Sequence, residues 1–374
     1  MSPAVHTPEA RAGALLGHLV SGGYGRCEPP LLQPAAVFLD LSGEDIRRRL
    51  YLTGDAAGAE FCLRPEYTIP VCRAYLASPD AGQPMAYSYL GPVFRFRPDA
   101  SGEFLQAGLE NFGRDDRPAA DAEILALALE AAEEAGCGGL AVTLGDAGLF
   151  AAVIAALDVA PAWQRRILRG HARGQSLAAI LDAAPQGEGA DHSGVLAALE
   201  GAGSSGARAL VQDLLAIAGI NPVGGRTAAE IADRFLEQAA LRAGGGFPAD
   251  KRAVLERFLA IEGDPDQAHE QLQALAREAR LDIAAPLADF DARTGFLSAN
   301  GMDVSQLRFA ASFARNLDYY TGFVFEARDP AAPDSKPVVG GGRYDRLIGR
   351  LDGGREVAAV GAAIWIDRLL ERVA

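Results

Sequence analysis

Two adjacent tyrosines, Tyr319 and Tyr320 in ARNLDYYTGFVFEA, are followed closely by Arg343 and Tyr344 in VVGGGRYDRLIGRL. A phenol both donates and accepts hydrogen bonds, a guanidinium is a rigid fork of donors, and a carboxylate only accepts. Asp318, Tyr319, Tyr320, Arg343 and Tyr344, if they converge, therefore make the floor of a polar small-molecule pocket. The same residues also suit a packing cluster in which buried tyrosines bond to Asp318.

Strands would have to bring them together. Aromatic and β-branched residues recur over 313–325 with Gly322 as the one breaker, which predicts a strand pair or a bent strand. Gly340, Gly341 and Gly342 predict a turn with positive φ before Arg343, Tyr344 and Asp345 open the next element. Upstream, residues 8–20 have the spacing of an amphipathic helix, Gly22, Gly23 and Gly25 end it, and prolines through Pro34 demand an extended entry segment. Over 64–113, short apolar runs alternate with glycine and proline turns, giving antiparallel strands around YSYLGPVFRFR and FLQAGLENFG. A helix over 119–135 should follow, with Asp121 and Glu123 near its positive end.

The character then changes. From 147 to 285, alanine- and leucine-rich stretches separated by glycine patches such as GAGSSGA and AGGGFPAD predict an all-helical region. Strand pattern returns at Leu307, and 357–368 reads as a small-residue strand leading into a terminal helix. The class is α+β: a sheet-forming unit split by helical sequence, its two halves pairing with each other.

Composition excludes several functions. A chain of 374 residues with 49% apolar side chains can bury one large core, or a core plus an insertion, without staples. Cys27, Cys62, Cys72 and Cys137 form no CxxC pair, and no histidine stands at metal-ligand spacing, so a reducing cytoplasm is expected and no metal or cofactor is called for. Neither a signal segment nor an apolar run long enough for a bilayer occurs, which argues against secretion and membrane insertion. With 35 basic against 49 acidic residues the net charge of −14 repels a polyanion, so no nucleic-acid partner is expected. Arg47, Arg48 and Arg49 read as a solvated helix face.

Four motifs in one order resemble the catalytic core of histidyl-tRNA synthetase, a class II aminoacyl-tRNA synthetase: LRPEYTIPVCRAY; YLGPVFRFRP with LQAGLENFG; ARNLDYYTGFVFE with GGGRYD; and GAAIWIDRLL. They cover nearly the whole chain, the helical middle only loosely. The resemblance implies an antiparallel sheet flanked by helices over 1–374, with a helical insertion over 147–285. It also implies a histidine site. Glu66, Thr68, Gln106 and Glu110 would surround the ammonium, and Arg95 with Arg315 would take the carboxylate. Tyr320 and Tyr344 would hold the imidazole, with Tyr319 and Arg343 close by. Taken singly, each has a structural reading: Glu66 as a helix N-terminal acid, Gln106 and Glu110 as strand residues facing solvent, Arg95 as half of a surface ion pair.

The ATP features of that family are missing. Where motif 2 carries a glutamate that accepts from the adenine amino group, this chain has Arg97, which has donors only, and the loop RPDASGEF after it is short. Aligned on Arg368, the glycine that leaves room for the nucleotide is Trp365. The chain stops at Ala374, where the synthetases continue into an anticodon-binding domain, so no such domain is expected. Arg315, matching the family's catalytic arginine, is kept. An intact amino-acid pocket without a nucleotide site looks like the regulatory subunit family of ATP phosphoribosyltransferase. That implies a non-catalytic chain partnering the short-form catalytic subunit in histidine biosynthesis, with L-histidine as feedback effector. It also implies dimerisation through the N-terminal motif within a hetero-octamer of four regulatory and four catalytic chains. The rival is a truncated synthetase-like enzyme forming histidyl-adenylate.

Overall fold

A computed structural model describes residues 7–41, 44–182, 246–315, 317, 319–354 and 356–373. Asp318, the GAGSSGA patch and the start of AGGGFPAD lie outside the described residues. The chain divides into two compact units, one of residues 1–153 with 257–374, the other of 154–256.

The first unit is built on a nine-stranded sheet. Its strands are β1 (Gly25–Arg26), β5 (Met85–Phe94), β6 (Glu103–Phe112), β7 (Ala141–Asp146), β8 (Glu262–Gly263), β9 (Arg308–Ala310), β10 (Phe323–Arg328), β11 (Val339–Arg343) and β12 (Ala359–Trp365). They lie in the order β1-β5-β6-β12-β11-β10-β7-β9-β8. From β5 to β7 every pairing is antiparallel, as expected, while the outer pairs β1 with β5 and β7 with β9 are parallel, so the sheet is mixed. The C-terminal strands β12, β11 and β10 insert as a block between β6 and β7 of the N-terminal half. A small antiparallel sheet joins β2 (Leu32–Pro34), β4 (Glu60–Leu63) and β3 (Leu52–Gly54).

Helices cover both faces. On one, α5 (Arg117–Glu134) lies against β12 and packs on α1 (Pro8–Ser21) and α11 (Ala284–Ala299). Helix α1 starts where Thr7 Oγ1 accepts from Ala10 N and Pro8 fills a first-turn position whose N–H needs no partner. On the other face, α2 (Ala35–Leu41), α4 (Thr68–Leu76) and α12 (Arg346–Asp352) enclose a cluster that holds Phe38, Cys72, Tyr75, Tyr89, Tyr344 and Trp365.

Several expectations change. Among the described residues of 313–325 no strand occurs before Phe323, because Tyr319 and Tyr320 pack inward instead of alternating along a ladder. Gly340, Gly341 and Gly342 lie within β11, not in a turn. A Cβ on Gly340 would overlap the Arg315 guanidinium, and one on Gly341 the Gly361 carbonyl, so the run is required by close approach. Asp121 and Glu123 lie past the first turn of α5. Asp121 pairs with Arg343 at 2.7 Å and Arg293 at 3.5 Å; Glu123 accepts from Tyr24 at 2.7 Å and pairs with Arg114. Helix α3 (Glu44–Arg47) ends at the first of the three consecutive arginines, so these straddle a helix end, with only Arg48 fully exposed.

The helical region expected over 147–285 is divided between the units. Helix α6 (Ala147–Ala156) follows β7. Helix α10 (Pro265–Ala279) packs on β8 and β9, while α11 packs on α5, all within the sheet-bearing unit. Helical periodicity marks an apolar face but does not say which core buries it. The second unit contains α7 (Pro161–Ala172) and α8 (Leu177–Asp182), and α9 (Ala249–Leu259) begins in it. There Trp163 meets Phe247 edge to face at 5.3 Å, and Arg252 pairs with Asp182 at 2.9 Å.

Candidate functional site

A cavity of about 200 Å³ opens beside the buried tyrosines of the first unit. Glu66, Thr68, Arg95, Gln106, Arg315, Tyr319, Tyr320 and Tyr344 all line it, brought together from loops, β6 and the start of α4. Glu110 does not. It sits one layer behind, accepting from Thr68 Oγ1 at 2.8 Å through one carboxylate oxygen and from the Tyr344 hydroxyl through the other. The expected ammonium ligand thus holds two wall residues in place instead of forming the wall. Arg343 is likewise elsewhere: it follows the strand's alternation to the opposite face, where Asp121 and Asp345 pair with it.

Glu66 fills both readings offered for it. Its carboxylate accepts from Thr68 N at 2.7 Å and Ile69 N at 2.9 Å, capping α4, and it also lines the cavity. Arg95 is held by its Nε donating to the Pro65 carbonyl at 2.6 Å. Arg315 reaches across β10, its Nη1 donating to Phe325 O at 3.0 Å and lying 3.4 Å from Glu326. Gly340 leaves the space for that guanidinium, and Gly361 on β12 leaves space for the Glu110 carboxylate. Both glycines line the cavity. The phenols pack on one another, Tyr319 lying 4.9 Å from Tyr320 and 5.8 Å, edge to face, from Tyr344.

Burial dominates the electrostatics. It raises the Glu66 carboxyl above its ordinary range and pushes Glu110 up to about 8, so Glu110 is largely protonated at neutral pH. It raises the phenols of Tyr319, Tyr320 and Tyr344 as well, which keeps them as hydroxyls. Arg368, near the cavity's indole, is pulled down to about 10 by burial and then by neighbouring charges including Arg95, Arg315 and Arg97. The wall therefore offers acceptors, donors and fixed positive charge around a partly enclosed space.

Trp365 closes one side. It is the last residue of β12, only 6% exposed, and lines the cavity with its ring 5.8 Å from the Arg315 guanidinium carbon and 4.4 Å from that of Arg368. Arg97 is spent elsewhere: its Nε donates to Ser101 O at 2.6 Å, its Nη1 lies 3.4 Å from Asp367, and it stacks 4.3 Å from the Phe104 ring centre. Three buried polar atoms on wall residues have no hydrogen-bond partner: Gln106 Oε1, Arg315 Nε and Trp365 Nε1.

Sequence reasoning missed Glu326, Ile46 and Leu317 on the wall, and the two spacer glycines. The available signal for Glu326 was an acid embedded in the apolar strand FVFEA. Among the described residues, no group of three acidic, cysteine or histidine side chains is placed to hold a metal, and no helix is long and apolar enough to cross a membrane.

The histidyl-tRNA synthetase family model matches residues 3–219 and 206–369. ATP phosphoribosyltransferase regulatory subunits from Brucella ovis and Brucella anthropi are each 42% identical, over 346 and 351 residues, covering 91% of this chain and 91% of each relative. Among solved structures, an ATP phosphoribosyltransferase regulatory subunit/histidyl-tRNA synthetase from Bacillus halodurans superposes with a TM-score of 0.66 at 20% identity, covering all of this chain (100%) and 83% of that one. A histidyl-tRNA synthetase from Nostoc does so at 0.64 and 17% identity, covering 100% and 74%. These two share the fold, whereas the Brucella relatives share sequence along nearly the whole length. The chain belongs to the ATP phosphoribosyltransferase regulatory subunits, a family with the histidyl-tRNA synthetase fold.

Proposed function

We propose that this protein is a non-catalytic subunit that supports the short-form ATP phosphoribosyltransferase catalytic chain in histidine biosynthesis, and that L-histidine bound in the cavity is its feedback signal. The observation that carries this reading is the composition of the wall: both charge signs, a phenol cluster and an indole around a space below the roughly 300 Å³ at which drug-sized pockets begin. Histidine needs acceptors for its ammonium, donors for its carboxylate and partners for two ring nitrogens. Glu66, Thr68 and Gln106 suit the first, Arg95 and Arg315 the second. The Tyr344 phenol, hydrogen-bonded to Glu110 behind it, offers its oxygen to an imidazole nitrogen, with Tyr319 and Tyr320 beside it.

Regulation requires that histidine bind one state of the complex more tightly than another, and the coupling must then act reciprocally on the catalytic subunit. For self-association within a hetero-octamer, the small sheet supplies apolar edges: Leu32 is 53% and Leu52 56% exposed, with Tyr51 adjacent. Four free thiols accord with a reducing cytoplasm.

The rival reading, an enzyme forming histidyl-adenylate, draws on Arg95 and Arg315 in the cavity. Against it stand Trp365, at the position where the synthetase motif has a glycine, and Arg97 held to Asp367. Titration calorimetry on the purified chain decides: heat with L-histidine and none with ATP is expected. ATP binding, or histidine-dependent pyrophosphate exchange, would overturn the regulatory reading.

A further inference from the structure

We propose that Glu326 is a relay between the cavity and the loop that joins β10 to β11, residues 329–337: a ligand carboxylate that takes Arg315 drives Glu326 onto Arg328, and Arg328 then holds the loop more firmly. This rests on the amino-acid reading of the cavity and adds a route by which occupancy reaches the protein surface.

The parts lie in one row. Glu326 and Gly340 are directly paired in the register of β10 and β11, and the Arg315 guanidinium fills the space that Gly340 leaves on that pair. Glu326 lines the cavity beside Arg315, and Arg328, two residues further along β10, shares its face of the strand. One carboxylate is thus divided between two guanidiniums. Glu326 Oε1 lies 3.4 Å from Arg315 Nη1, and its Oε2 accepts from Arg328 Nη2 at 2.6 Å. Arg328 stands outside the cavity wall, and its Nη1 donates to the Ser335 carbonyl in the loop.

Most of the loop is exposed. Its two ends are anchored from the terminal helix, Asp329 pairing with Arg372 at 3.2 Å and Pro337 O accepting from Arg368 at 2.6 Å, so the grip on Ser335 falls to Arg328. Charge supplies the coupling. A ligand carboxylate at Arg315 competes with Glu326 for that guanidinium and repels it, since like charges a few ångströms apart in a partly enclosed site oppose each other. Released from Arg315, the second oxygen of Glu326 completes a two-point bond with Arg328, which fixes the plane of that guanidinium and its hold on Ser335 O. The two placements of Glu326 differ in how well they admit the carboxylate, which is the differential affinity that a ligand-driven shift requires.

The test follows hydrogen exchange in the full chain, with calorimetry alongside. Saturating L-histidine should slow exchange over 329–337 about two- to fivefold, the factor that one exposed ion pair is worth. Arg328→Met keeps the apolar stem and lies outside the wall, so it should bind L-histidine as the wild type does yet show no slowing. Calorimetric binding of L-histidine with unaltered loop exchange, or slowing that survives in Arg328→Met, overturns the relay and spares the pocket reading. A wild type that does not bind L-histidine overturns both. If Arg328→Met does not fold, Glu326→Gln takes its place: without the shared charge the loop should no longer respond to bound L-histidine, and a response of wild-type size sinks the proposal.

Discussion

Tyr344 donates its phenolic hydrogen to Glu110, a partner 234 residues away in the chain, and that bond joins the loop after β11 to the far end of β6 directly behind the cavity. Glu110 also receives the Thr68 hydroxyl and projects into space that only Gly361 leaves free. One buried carboxyl thereby orients two wall residues, Thr68 and Tyr344, from distant stretches of sequence.

Stability should depend on pH through this group. Folded Glu110 keeps its proton to about 8, whereas the unfolded chain loses it near the ordinary value of 4.5. Between those values the folded form binds more protons, so this contribution is fully present below 4.5 and is lost as pH rises toward 8. The slope approaches about 1.4 kcal/mol per pH unit. Glu110→Gln should flatten the decline in urea-unfolding stability between pH 5 and pH 8; parallel curves for wild type and variant would refute the assignment.

The spacer glycines should not tolerate a methyl group. Gly340→Ala drives a Cβ into Arg315 and Gly361→Ala into Glu110. Each should cost about 1–3 kcal/mol in chemical denaturation and abolish histidine binding by calorimetry. Full affinity in either variant would mean that the guanidinium or carboxylate has somewhere else to go.

Asp121→Asn probes the opposite face. Asp121 is held between Arg343 and Arg293, all three buried; without its charge Arg343 keeps Asp345 at 2.9 Å and Arg293 keeps Asp146 at 2.7 Å, so the change should cost about 1–3 kcal/mol. Thermal and urea unfolding measure this. A loss under about 1 kcal/mol would place the network in the weak class of solvated pairs.

Tyr320→Ala should weaken L-histidine several-fold while leaving circular dichroism and assembly with the catalytic chain intact, because the ring lines the cavity and is only partly buried. Calorimetry and co-purification read the two effects separately. Equal affinity in the variant removes Tyr320 from the site.

Much of this was legible in the chain. The long strands β5 and β6 are bounded by glycine, proline and polar residues, and local pattern suffices to place them. The motif residues were legible as a set through their resemblance to the synthetase motifs, and eight of them line one cavity. What stayed hidden depends on partners far away in sequence. Nothing local to GGGRYD says that its glycines are strand residues facing Arg315 and Gly361, or that Arg343 and Tyr344 part to opposite faces. Nothing near Glu110 says that Thr68 and Tyr344 occupy its oxygens, and Glu326 meets Gly340 only once β10 and β11 are in register.

The bare strip of β11 and β12 has a thermodynamic consequence. Gly340, Gly341, Gly342 and Gly361 are the residues that roam most when the chain is denatured, yet they are immobilised at the centre of the sheet. Each carries a penalty of about 0.5–1 kcal/mol relative to alanine, the cost of letting backbone and the Arg315 and Glu110 side chains approach the strands so closely. A ligand that entered the cavity in the native state alone would offset that cost by mass action, so its concentration would set how much of the protein persists folded.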